Sequence, residues 1–167
     1  MGLTSLESID DFVAVNRRNY KVYQEEFAEI WGVRMLSYDE SQKNNFQYIV
    51  LEIDEAEVKI RRDDLVQALS AENVMARRYF YPGCHRMEPY RSMARYRNIA
   101  LPETERLASR VMSLPNGTAV GENEIRRICE VVRFVLANGP EVTAGIRSRK
   151  ARVASAVPGG AKALGGN

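Results

Sequence analysis

Phe46–Asp54, FQYIVLEID, is β-branched, aromatic and partly alternating, and stretches of helical period lie on both sides of it. A strand of that kind among amphipathic helices has to join a sheet that the helices cover. Leu6, Ile9, Val13, Tyr20, Tyr23, Phe27 and Ile30 recur at steps of three and four, with one gap at Arg17–Arg18. They predict a long first helix, entered through a Thr4–Glu7 capping box, bent near Asn16–Asn19 and closed by Gly32. Such a helix is too long to be buried along its whole length by a small domain. Arg61-Arg62-Asp63-Asp64 opens a second helix, with Asp63 or Asp64 as cap and Leu65, Val66 and Leu69 facing inward. Pro102 opens a third over Glu103–Arg110. Glu122–Ala137 is a fourth, with Ile125, Ile128, Cys129, Val132, Val135 and Leu136 on its apolar side and Asn138-Gly139-Pro140 at its end. Shorter strands are expected at Val33–Tyr38, Asn73–Phe80 and Val111–Leu114. Asp39–Asn45 and Arg86–Ala100 read as loop. The fold class is therefore α/β, a sheet with helices on one face.

A hydrophobic share of 45% in 167 residues is enough for one domain with a core. The net charge of +2 gives no general attraction to nucleic acid or to a membrane surface. No apolar run reaches the roughly 20 residues a spanning helix needs. Two cysteines do not make a disulfide framework and fit a reducing, cytoplasmic compartment. From Glu141 onward the chain is small, basic and finally glycine-rich, which predicts a disordered basic tail over 140–167.

The chemistry-bearing residues gather in 72–91. This stretch holds the only histidine, His85, with Cys84 before it, and sets Tyr79, Phe80, Tyr81 and Tyr90 among Arg77, Arg78, Arg86 and Arg91. Arg95 and Arg97 extend the basic run. Guanidiniums beside aromatic rings can grip a phosphate and stack a base or sugar ring, or can line a single-stranded nucleic-acid surface. Equally, several of them can face solvent or pair with acids of neighbouring helices. His85, after a Pro-Gly turn, can donate a hydrogen bond or shuttle a proton at a cleft edge, or can serve a structural bond. Adjacent Cys84 and His85 supply neither a zinc site nor a convergent nucleophile pair. Gly117 and Gly121 fit no phosphate-cradling loop, and no nucleophile elbow occurs. The residues contain no self-sufficient catalytic set.

Several motifs in order carry a resemblance. They are Arg62-Asp63, Tyr81-Pro82-Gly83-Cys84-His85, Leu101-Pro102-Glu103-Thr104-Glu105, Leu114-Pro115 and the last helix GENEIRRICEVVRFVLAN. Together they resemble the C-terminal part of DegT/StrS-type, pyridoxal-phosphate-dependent sugar aminotransferases of the aspartate aminotransferase fold, over roughly residues 1–138. The start, MGLTSLESIDDF, resembles the family helix that follows the large domain. The resemblance implies an α+β-like small domain: a connector helix at 1–32, and a mostly antiparallel sheet with helices on one face within 33–139. It also implies substrate-side roles for Tyr81 and His85, with Arg77 and Arg78 near nucleotide phosphates. The family's cofactor lysine, pyridine-nitrogen aspartate and phosphate cup have no counterpart among Lys21, Lys43, Lys59, Lys150 and Lys162. Pyridoxal phosphate therefore belongs to the family and is not expected on this chain alone. The implied substrates of an intact enzyme are a nucleotide-linked keto-sugar and glutamate. The expected partner is a separate large domain or a second copy of the chain, which would be a truncated product or half of a split enzyme. A non-catalytic module that binds a nucleotide, nucleic acid or protein through the Arg/Tyr edge is the alternative.

Overall fold

The strand predicted most strongly from sequence becomes a central strand of the sheet. In the computed structural model, which describes residues 7–96 and 98–156, β2 spans Ile49–Ile53. It pairs with β1 (Val33–Met35) on one side and with β4 (Val111–Leu114) on the other, and β4 pairs with β3 (Arg77–Arg78). All three pairings are antiparallel. Ile49, Leu51 and Ile53 are completely buried, and Ile49 stands opposite Leu114 and Leu51 opposite Met112. The register thus brings apolar rows together on one face, which is what fixes it: a slip of one residue would carry Glu52 inward.

That face is covered by three helices, α1 (Ile9–Phe27), α3 (Arg62–Ala71) and α5 (Glu122–Ala137). Tyr20, Tyr23 and Phe27 come from the first, Leu65 and Leu69 from the second, and Ile125, Cys129 and Val132 from the third. Each fully buried leucine of this set contributes about 1.5–3 kcal/mol. Tyr20, Tyr38 and Phe46 form an aromatic cluster, with Tyr20–Phe46 centroids 5.3 Å and Tyr38–Phe46 centroids 5.0 Å apart. Glu26 ties α1 to α5 through Arg126, at 2.6 Å, and Arg133. Buried Asn19 donates to Asn116 Oδ1, Gly117 O and Val120 O at 3.0–3.1 Å, securing α1 against the turn after β4. The remaining helices are α2 (Glu55–Val58), α4 (Pro102–Arg110) and α6 (Gly139–Ala156). Arg106 of α4 reaches Glu52, which alternation places on the sheet face away from the core.

Several boundaries differ from the sequence reading. The Thr4–Glu7 capping box lies outside the described residues. α1 runs unbroken through Asn16–Asn19 and stops at Phe27, well before Gly32. Gly32 instead turns the chain into β1 at φ +76, accepting from Asp54 N at 2.8 Å, and a Cβ there would meet Val58 Cγ1 at 2.6 Å. Neither Asp63 nor Asp64 caps α3. The cap position is Arg61, while Asp63 binds Arg62 and Asp64 binds Arg61. Only Arg77–Arg78 of the Asn73–Phe80 run is strand. Asn73 sits at φ +59, and Val74 N returns to Leu69 O at 2.9 Å, so backbone groups needed for a ladder are spent closing α3. The largest departure is α6, where a disordered tail was expected. Its Val142 packs on the core and Val142 N donates to Asn138 O at 3.0 Å, so the chain restarts a helix directly after α5. Residues 157–167 lie outside the described set.

Candidate functional site

The chain leaves β3 at Tyr79 and passes a cis Tyr81–Pro82 bond before Gly83, at φ +93, turns it into a short 3-10 turn at Cys84–Arg86. This path sets Tyr81 over α3. The Arg62 and Arg78 guanidiniums approach its ring, with their carbons 5.4 and 4.8 Å from the centroid. Arg62 is 1% exposed and is held from two sides, by Asp63 Oδ1 at 2.7 Å and by the Val111 carbonyl. Arg78 is half exposed, with Asp63 Oδ2 3.9 Å away. Tyr81 is thus supported by one fixed cation and one that solvent or a ligand can reach.

His85 lies on the other side of the Pro82–Gly83 turn. Its Nε2 is 3.1 Å from Glu105 Oε1, and Arg86 Nη2 donates to the same oxygen at 2.6 Å. Those bonds, Arg86 first and His85 second, hold the Glu105 carboxyl below the usual glutamate range. Tyr81, Pro82, Arg86, Arg91, Glu105 and Ala108 line one open groove of about 440 Å³. A larger cavity of about 620 Å³ lies between α3, α5 and α6 and contains none of these residues.

Of the four substrate-side residues expected from sequence, the structure brings Tyr81 and Arg78 into direct contact. His85 reaches the same groove through its partner Glu105. Arg77 stands apart. It alternates with Arg78 along β3, faces the opposite side of the sheet, and is exposed. Arg91 is occupied by Glu88 at 2.8 Å, and Arg97 lies outside the described residues. Arg62 and Glu105 stood in the sequence only as motif residues with no task of their own, and the structure gives each one. For Arg62 a signal was present: a cation in the first turn of a helix opposes the helix dipole, so a partner elsewhere was to be expected. Glu105 carried no such signal. Cys129 is core as expected, its thiol pushed up to about 12 chiefly by burial.

The model of the DegT/DnrJ/EryC1/StrS aminotransferase family matches residues 1–133. The chain belongs to this family. The dTDP-4-amino-4,6-dideoxy-D-glucose transaminase of Shigella dysenteriae is 25% identical over 134 residues, 80% of this chain and 36% of its own length. DesI, solved in the presence of its TDP-sugar product, is 46% identical over 88% of this chain and 37% of its own, with a TM-score of 0.79. Spr1654 of Streptococcus pneumoniae, solved in its PMP form, shares the fold at 14% identity and a TM-score of 0.65 over 86% of this chain. The chain spans about a third of the length of the relatives it matches.

The described lysines do not fit the family's pyridoxal phosphate. Lys21 is paired with Glu40, and Lys43, Lys59 and Lys150 are exposed. A lysine that forms a Schiff base is typically desolvated, and the side chains of these four are partly or fully open to solvent, Lys21 and Arg17 sharing the Glu40 carboxylate. Lys162 lies outside the described residues. Among the described residues, no helix is long and apolar enough to cross a membrane.

Proposed function

We propose that this region is the small domain that closes over the active site of a pyridoxal-phosphate-dependent nucleotide-sugar aminotransferase, with 1–32 as connector and 33–139 as the domain proper. The observation that carries the reading is the 46% identity to DesI over 88% of the chain, at a TM-score of 0.79. The cofactor's chemistry, carrying an amino group from glutamate to a keto-sugar, belongs in this reading to a large domain outside these 167 residues. What the chain supplies is a wall. Tyr81, steadied by Arg62, offers an aromatic face to a sugar or base, Arg78 offers a half-exposed cation to phosphate, and His85 offers a hydrogen-bonding group at the groove's edge. Arg77, on the other sheet face, is left for the domain boundary. In this reading the chain alone is inactive.

The test is complementation. The chain is co-expressed with the portion of DesI that it does not match, and the pair is assayed for co-purification and for amino transfer to a TDP-linked keto-sugar. Activity that needs both parts supports the reading; a stable pair that transfers nothing sinks it. A non-catalytic binding module is the second reading, and one observation favours it. Tyr48, Tyr79 and Phe80 form an open aromatic run, with centroids 5.2 and 4.0 Å apart, on the edge that carries Arg77. Salt-dependent binding of single-stranded oligonucleotides, lost in Phe80→Ala, would decide for it.

A further inference from the structure

Glu105 does more than begin a helix. An ionised carboxylate only accepts hydrogen bonds, so with Arg86 keeping Glu105 ionised the 3.1 Å contact to His85 requires a proton on Nε2. A neutral imidazole then has its acceptor at Nδ1. Nδ1 has no protein partner among the described residues, and no sealed side-chain nitrogen or oxygen there is left unpaired, so Nδ1 retains an opening. Gly83, itself buried, packs against the Nδ1–Cε1 edge of the ring. A Cβ on that residue would stand 3.2 Å from Nδ1 and 3.1 Å from Cε1, closer than ordinary contact. The side chain of His85 as a whole is 7% exposed.

We propose that Glu105 is a positioning residue that holds His85 as the Nε2–H tautomer, so that Nδ1 accepts a hydrogen bond from a hydroxyl of a bound sugar. The inference rests on the reading of this edge as substrate-facing and deepens it: His85 reads a donor group, and anionic groups are left to the arginines. A side chain at position 83 would crowd this acceptor.

His85 is the only histidine in the chain, so long-range ¹H–¹⁵N spectra of the labelled full chain report a single imidazole. In alkaline buffer, where imidazoles are neutral, the proton is expected on Nε2. Glu105→Gln, whose amide oxygen still accepts, keeps it there. Glu105→Ala relaxes the ring toward the tautomer mixture of free histidine while the backbone spectrum stays folded. Methyl α-D-glucopyranoside, the hydroxyl probe, shifts the Nδ1 resonance of the wild type, and inorganic phosphate does not. A proton on Nδ1 in the wild type or in Glu105→Gln, or an unchanged tautomer in a folded Glu105→Ala, overturns the positioning role. An Nδ1 resonance that the glucoside leaves in place, or that phosphate moves instead, overturns the acceptor role. These measurements need no cofactor and no second domain, so their failure leaves the complementation test untouched, and the reverse holds too.

Discussion

Arg62 shows how one buried side chain can join a fold to a site. Its aliphatic stem fills space under the sheet, and its head binds the Val111 carbonyl, Asp63 and the Tyr81 ring. Arg62→Ala leaves a cavity and leaves the Val111 carbonyl with only a 3.4 Å bond from Tyr79 N. The expected loss is about 2–4 kcal/mol in urea unfolding, and Arg62→Met, which keeps the volume, should lose less. Equal losses in the two variants would mean that packing contributes nothing. Glu26 carries the clearest pH dependence. Arg133 and then Arg126 hydrogen-bond its carboxylate and lower its pKa, while burial opposes them. A carboxyl depressed in the folded state contributes stability above its unfolded value, and loses it as pH falls through the folded value. The unfolding midpoint should therefore decline below about pH 4.5, and Glu26→Gln should show a shallower decline because the group no longer titrates. A variant that tracks the wild type through that window would remove Glu26 from the account.

At the scale of elements, α6 and the start of α1 make opposite claims on solvent. α6 was invisible to composition because its Arg147, Arg149 and Lys150 and its small residues read as tail, while the apolar positions that dock it, Val142 foremost, are few. Truncation after Asn138 should remove the helical signal of 18 residues from the far-ultraviolet circular dichroism and lower the unfolding midpoint. An unchanged spectrum would mean that the segment is a tail after all. On α1, Ile9 and Phe12 are 48% and 49% exposed on neighbouring turns. Exposed apolar pairs of this kind promote association, so sedimentation should show concentration-dependent self-association that Phe12→Glu reduces. The same contrast explains what could be read in advance. α5 was predicted to its end residues because six apolar positions repeat at helical spacing between clear start and stop signals. β3 shrank to two residues because the competing closure of α3 at Asn73 and Val74 leaves no trace in hydrophobic pattern. The candidate site was legible only as a set of residue types, and the packing of the Arg78 guanidinium on the Tyr81 ring is a finding of the structure. A strand at Asn73–Phe80 already implied that Arg77 and Arg78 face opposite ways, but which of them shares the face of Met112 followed only from the register with β4.

For the molecule as a whole, the decisive quantity is what its lysines can do. A family whose chemistry runs through a Schiff base needs one lysine with a lowered pKa in a site that excludes water. Here Lys21 is bound to Glu40, and Lys43, Lys59 and Lys150 stand in solvent. Pyridoxal phosphate added to the purified chain should therefore give no saturable internal-aldimine band. Borohydride reduction followed by peptide mapping should find only low, scattered labelling that rises in proportion to reagent. The outcome changes if a domain with its own cofactor lysine is present. In the pair with the unmatched portion of DesI, a band should form on that partner, and Tyr81→Ala or Arg78→Ala in this chain should raise the KM for the sugar substrate by roughly tenfold, as loss of about 1.4 kcal/mol of binding would require. A saturable band on the chain alone, traced to one of its own lysines, would overturn the view that this region serves as the wall of a site and not as its chemical centre.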